Sequence, residues 1–139
     1  MINLFRRSVE EVFSQNFGLY PQPCETYPEA DGYVAQIPFS DGNDEYIARI
    51  WIEKPTLKDL ANILLFDEDP DEETLEDLTA ELANFIVGHA KMLASDRNLP
   101  YCMKTPTFVG LQPLPYADKT LLYKVNDRCI ALQLKENNG

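Results

Sequence analysis

Apolar residues recur at helical spacing from the start of the chain. Ile2, Phe5, Val9, Val12, Phe13 and Phe17 fall on one side of a helix. The spacing predicts an amphipathic helix over residues 2–17, closed near Gly18, because Tyr20, Pro21, Gln22 and Pro23 cannot continue it. Two strand-like runs follow, at residues 33–39 and 46–52. Between them Ser40, Asp41, Gly42, Asn43 and Asp44 have turn composition, so the two runs form a hairpin. Pro38 marks an edge, a bulge or the end of the first strand. Helical spacing returns over residues 56–66 through Leu57, Leu60, Ala61 and Leu64, with Thr56 or Pro55 at the start.

The longest periodic segment runs from about Thr74 to about Asp96. One face holds Leu75, Leu78, Leu82, Phe85, Ile86, His89 and Leu93 and needs a core. A second face of small residues, Ala80, Ala83, Val87, Ala90 and Ala94, permits close packing against another element. Thr74, with Asp77 three positions later, resembles a capping arrangement. Beyond the helix, residues 104–109 read as extended and residues 111–119 as a proline-bearing loop. Two strands at 120–125 and 129–134 close the chain around an Asn126, Asp127, Arg128 turn, leaving residues 135–139 as a frayed tail. Helix, hairpin, helices and strands in this order give one α+β domain over residues 1–139. Its mostly antiparallel sheet packs against a long central helix and an N-terminal helix.

Charge narrows the partners. The formal net charge is −11, which argues against nucleic acid and anionic membrane and suits a partner with a basic surface. No apolar run is long enough to span a bilayer, and the opening residues Met1 to Arg7 run into charge rather than an apolar signal core, so a cytoplasmic protein is expected. Cys24, Cys102 and Cys129 show neither metal-ligand spacing nor a disulfide framework and read as reduced, partly buried thiols. The acidic run Asp67, Glu68, Asp69, Asp71, Glu72, Glu73, Glu76 and Asp77 reads as a solvated loop leading into a helix start, where the dipole favours carboxylates.

The long helix carries a third stripe: Asp77, Glu81, Asn84, Gly88 and Lys91 are surface neighbours at three- and four-residue steps. Propensity would not place Asn84 or Gly88 there. Asn costs several tenths of a kcal/mol against Ala in a helix, and Gly on the order of 1 kcal/mol. Gly88, lacking a Cβ, lets something approach the stripe closely, either a neighbouring element of the same chain or a visitor. An Asn side chain donates and accepts at once, so it can hold a water with one atom while the other is fixed. A Glu three residues earlier can fix a partner's Lys or Arg through a charge-assisted bond. With a single histidine, His89, no Ser-His-Asp or Cys-His grouping arises, and no glycine-rich phosphate loop is present.

The run Asp77-x3-Glu81-x2-Asn84, continued as Phe85-Ile86-Val87-Gly88-His89-Ala90-Lys91 and followed by Thr105-Pro106, resembles the CheX/CheC/FliY family of chemotaxis phosphatases, and the CheX branch in particular. The resemblance implies a phosphatase that hydrolyses the aspartyl phosphate of the response regulator CheY. The position of Glu81 would pair with a lysine of the regulator, and that of Asn84 would enter its active site and orient the attacking water. Asp77, Gly88, Lys91 and Pro106 would flank the contact. The magnesium ion would be the regulator's, with no cofactor held by this chain. The resemblance further implies a homodimer joined through sheet edges. CheC and FliY relatives carry two such motifs; here the first helix has Glu11 but Ser14 where an Asn would stand, so one site is expected. Pro106 comes one residue sooner after Asn84 than the family's usual spacing, and His89 stands where CheX relatives commonly have Asn. A non-catalytic adaptor that binds a receiver or a flagellar switch protein is the alternative, since the fold is shared with switch components.

Overall fold

A computed structural model describes residues 1–137. Helix α1 (Ile2–Phe17) buries Leu4, Phe5, Ser8, Val9, Val12, Phe13 and Phe17, and stops at Gly18, whose φ of 66° lies in the left-handed region that glycine adopts without a Cβ penalty. The chain then passes through β1 (Gln22–Pro23), the hairpin β2 (Asp31–Ser40) and β3 (Glu45–Ile52), helix α2 (Lys54–Leu65) and helix α3 (Glu72–Asp96). The last part is all strand: β4 (Cys102–Met103), β5 (Thr107–Pro113), β6 (Thr120–Val125) and β7 (Arg128–Glu136).

Among the described residues the seven strands form one sheet in the order β1-β6-β7-β3-β2, with β5 and β4 end to end along the outer flank of β2. Every pairing is antiparallel. Alternation along the strands separates two faces. Tyr33, Ala35, Ile37 and Phe39 of β2, Ala48, Ile50 and Ile52 of β3, and Ile130, Leu132 and Leu134 of β7 point to the helices and share one core with α1, α2 and α3. On the opposite face Val34, Trp51, Ala131 and Leu114 form a small second cluster, covered by Tyr27 and the loop after β5. Trp51 lies against Gly32, where any Cβ would collide with the indole, and its Nε1 donates to the Gln112 carbonyl at 2.9 Å.

The structure moves several expected boundaries. Helix α3 begins at Glu72, and its cap is Asp71 rather than Thr74: the Asp71 carboxylate accepts the Thr74 N–H at 2.8 Å. Of the extended residues 104–109 only 107–109 are strand, within β5; β4 comes earlier, at Cys102–Met103, and β5 reaches Pro113 where a loop is expected from residue 111. The tail is not frayed at its start, because β7 runs to Glu136 opposite Tyr46 and the Asn137 N–H donates to the Glu45 carbonyl. The remainder, 138–139, lies outside the described residues. Pro38 sits inside β2, level with the break between β5 and β4, where pairing passes from Gln36–Thr107 to Phe39–Met103. Its carbonyl accepts the Lys104 N–H on that side, so the missing N–H faces the interruption and costs no ladder bond.

Candidate functional site

Helix α3 crosses the helical face of the sheet and packs on α1, α2, β2 and β3. Leu75, Leu78, Leu82, Ile86, Val87, Ala90, Leu93 and Ala94 are buried, which sets the rotation of the helix and turns the Asp77–Lys91 stripe outward. Two side-chain donors fix the helix at mid-length. The Ser8 hydroxyl of α1 donates to the Ile86 carbonyl at 2.6 Å, and the Tyr101 hydroxyl donates to the Val87 carbonyl at 3.2 Å. Burial pushes the Tyr101 hydroxyl far above its ordinary value, so it stays a donor. At the helix start, Tyr33 donates to the Glu72 carboxylate at 2.7–2.8 Å and Lys54 pairs with it at 3.0 Å. The Tyr33 hydrogen bond, then Lys54, hold the Glu72 carboxyl below its usual range, while burial and Glu72 push Tyr33 up to about 12.

Neither Ser8 nor Tyr101 figured among the candidate residues. Ser8 had a signal, a polar residue on the apolar stripe of α1 between Phe5 and Val9. Tyr101 lies in the segment between α3 and β4 and had none. The acidic run divides by position: Asp71 caps α3, Glu72 ties it to β2 and α2, and Asp67 accepts the Asp69 N–H.

Asp77 and Glu81 line one shallow cleft of about 250 Å³ with Thr74, Leu78 and, from the end of α2, Leu64 and Leu65. Both carboxylates are exposed, and Asn84 one step further is partly exposed. Among the described residues no hydrogen bond or ion pair engages the side chains of Asp77, Glu81, Asn84 or Lys91. Gly88 is also partly exposed. A Cβ there would meet only the Met103 side chain, Sδ at 3.9 Å and Cε at 4.0 Å, which is ordinary contact. The neighbouring strand therefore does not require this glycine. Lys91 is exposed at the far end of the stripe. Pro106 lies partly exposed between β4 and β5, both of which pack on α3, and is not part of the Asp77–Glu81 cleft. His89 points away from the stripe to α1, its Nε2 3.5 Å from Glu11 Oε1 without a well-directed hydrogen bond.

The arrangement offers two adjacent carboxylates, then an amide with its donor and acceptor both unspent, on a helix held rigidly from behind. It can bind a cation-bearing surface and order a water or an oxygen at Asn84.

This architecture is a CheX/CheC-type chemotaxis fold, an antiparallel sheet backed by a long helix and an N-terminal helix. Among solved structures, the chain is similar to the chemotaxis protein CheX of Vibrio vulnificus, with a TM-score of 0.82 at 15% identity over 97% of this chain and 95% of that one. It is also similar to a CheC-like superfamily protein of Shewanella sp. PV-4, with a TM-score of 0.78 at 23% identity over 99% and 97%. A third similar structure is the CheX of Borrelia burgdorferi, solved as a CheX–CheY–BeF3–Mg2+ complex, with a TM-score of 0.71 at 15% identity over 99% and 97%. No family model and no curated protein matches the chain. No helix among the described residues is long and apolar enough to cross a membrane.

Proposed function

We propose that this chain is a phosphatase of the CheX type, acting in the cytoplasm on the aspartyl phosphate of a CheY-like receiver domain. The observation that carries this reading is the unspent Asn84 amide, one helical step from the Glu81 carboxylate, on a helix whose opposite side is locked into the core. The fold likeness supports it, as does the Borrelia burgdorferi CheX having been solved with CheY.

In this reading Glu81 receives a lysine of the receiver, and Asp77 adds to the negative field that draws it in. Leu64 and Leu65, forming the apolar wall of the same cleft, give the docked surface something to desolvate. Asn84 then enters the receiver's site and holds a water opposite the bond to the aspartate. The water oxygen attacks phosphorus, the bond to the aspartyl oxygen breaks, and inorganic phosphate and a free carboxylate result. Placing the water supplies most of the gain, because the phosphoryl transfer itself asks for little covalent help. The magnesium that neutralises the phosphoryl oxygens is the receiver's. Gly88 and Lys91 extend the contact along α3, and Pro106 borders it from the strand side. Two copies joined through their sheets form the expected assembly, which sedimentation reads directly.

The test follows acid-labile phosphate on a receiver charged from a small acyl phosphate donor. Hydrolysis is accelerated by the wild-type chain and not by Asn84→Ala, while the variant still binds. A receiver that binds both proteins but loses phosphate at its own rate with either would assign the chain to the adaptor role instead.

A further inference from the structure

The face of the sheet opposite α3 brings together two thiols far apart in sequence. Cys24 and Cys129 stand 105 positions apart, yet their Sγ atoms lie 3.9 Å from each other. Cys129 belongs to β7, held by its pairing with Lys124 and by its own N–H donating to Glu53 Oε2 at 2.7 Å. Cys24 lies just past β1, outside any strand, with its thiol donating to the Thr26 carbonyl. Among the described residues no third His, Cys, Asp or Glu joins them in a metal-holding group. Cys24 also lines an open cleft of about 300 Å³ with Arg6, Glu10, Glu25 and Tyr27, so a small solute can reach it.

We propose that Cys24 and Cys129 are an oxidant-sensitive pair that a hydroperoxide converts to an intramolecular disulfide, Cys24 being oxidised first and Cys129 resolving it. The sulfurs must close from 3.9 Å to roughly 2.0 Å, and because the Cys24 N–H donates to the Leu122 carbonyl at 3.0 Å, on the far side of β6 from β7, the segment after β1 must release that bond and shift toward β7 for them to meet. The order of attack follows from surroundings. Burial, then the hydrogen bond with Cys24, push the Cys129 thiol up to about 11, so it is not the thiolate that meets peroxide. The Cys24 thiolate attacks one peroxide oxygen; the S–O bond forms, the O–O bond breaks, and the departing hydroxide takes a proton to become water. The Cys129 sulfur then attacks the Cys24 sulfenic acid. The S–S bond forms, the S–O bond breaks, and the second hydroxide leaves as water with the Cys129 proton. Two thiols are oxidised and one hydroperoxide is reduced.

The bond would staple the segment after β1, and the Tyr27 cover of the second apolar cluster, to β7. It lies on the face of the sheet away from α3, so it leaves the Glu81–Asn84 stripe alone. The proposal stands whether or not the chain is a phosphatase.

The experiment treats the folded wild-type protein and Cys102→Ser with hydrogen peroxide and reads thiols, intact mass and linked peptides. Expected are a fall in titratable thiols from three to one in the wild type, a mass lower by two hydrogens, and a Cys24–Cys129 peptide in both proteins. The melting temperature rises by on the order of 10 °C, because the closed loop is long, and thioredoxin-type reductants reverse the change. In Cys129→Ser, a sulfenic acid on Cys24 persists and reacts with dimedone. The proposal is overturned if wild-type Cys24 advances to sulfinic acid while Cys129 stays free. It is equally overturned if excess peroxide leaves Cys24 untouched, or if the only cross-link formed runs through Cys102.

Discussion

Helices α1 and α3 each carry a glutamate three residues ahead of a short polar side chain, and they use it in opposite ways. In α1, Glu11 is consumed by the chain itself. Arg7 Nε pairs with it at 2.8 Å, His89 faces it from α3, and the Ser14 hydroxyl turns back to donate to the Glu11 carbonyl. In α3, Glu81 and Asn84 have no such partners among the described residues: Glu81 lines a cleft and Asn84 is partly exposed to solvent. The same spacing on the same fold therefore gives a structural joint in one helix and an available recognition surface in the other. What separates them is hydrogen-bonding capacity left unused, a property of the surroundings rather than of the two residues.

Substitutions sharpen this contrast in a graded way. Replacing Asn84 with Ala is expected to reduce receiver dephosphorylation by ~100-fold or more while leaving affinity nearly unchanged. Single-turnover decay of the acyl phosphate, read beside a binding isotherm, separates the two. The Glu81→Ala change acts on docking instead. Affinity for the receiver should fall about 10-fold, and the remaining binding should lose much of its salt dependence. A salt titration showing equal slopes for wild type and variant would remove the anchoring role.

Gly88→Ala tests who needs the gap. The added methyl meets only Met103 at ordinary contact distance, so the helix should gain roughly 0.5–1 kcal/mol in denaturant unfolding. Weakened receiver binding in that more stable protein marks Gly88 as part of the docking surface, whereas unchanged binding leaves it a mere gap in the helix face. The smallest effect belongs to α1. Ser14→Asn restores the spacing of a second motif, yet Glu11 remains held by Arg7, so activity should change by less than about 2-fold. A clear rise in turnover there would mean that residue identity outweighs surroundings.

Periodicity alone located α1, the hairpin, α2, α3 and the last two strands, because each has a strong apolar face and a chemically distinct end, such as Gly18 or the Asn126–Asp127 turn with both residues at positive φ. The two-strand flank was not legible. β4 is two residues long, and β5 holds Gly110 and Pro113, which read as loop composition until β2 is there to pair with them. The stripe Asp77, Glu81, Asn84, Gly88 and Lys91 was visible as helical neighbours. Its rigidity was not, since Ser8 and Tyr101 reach α3 from segments that only the tertiary fold brings near. The helix cap was misplaced by three residues because Thr74 and Asp71 are both good caps, and only the backbone bond shows which is used. The nearness of Cys24 to Cys129 could not be read from spacing at all, since Cys24 follows β1 and β6 stands between β1 and β7.

The interruption opposite Pro38 has a consequence for self-association. On one flank the sheet ends in the two-residue β1, half of it proline; on the other it ends in two pieces with a gap between them. A foreign strand seeking to laminate onto this molecule finds no long straight lip except the seven residues of β5. Lateral pairing is thereby confined to one short seam, and the Gly110 and Pro113 within it weaken that seam as a template for a fibre.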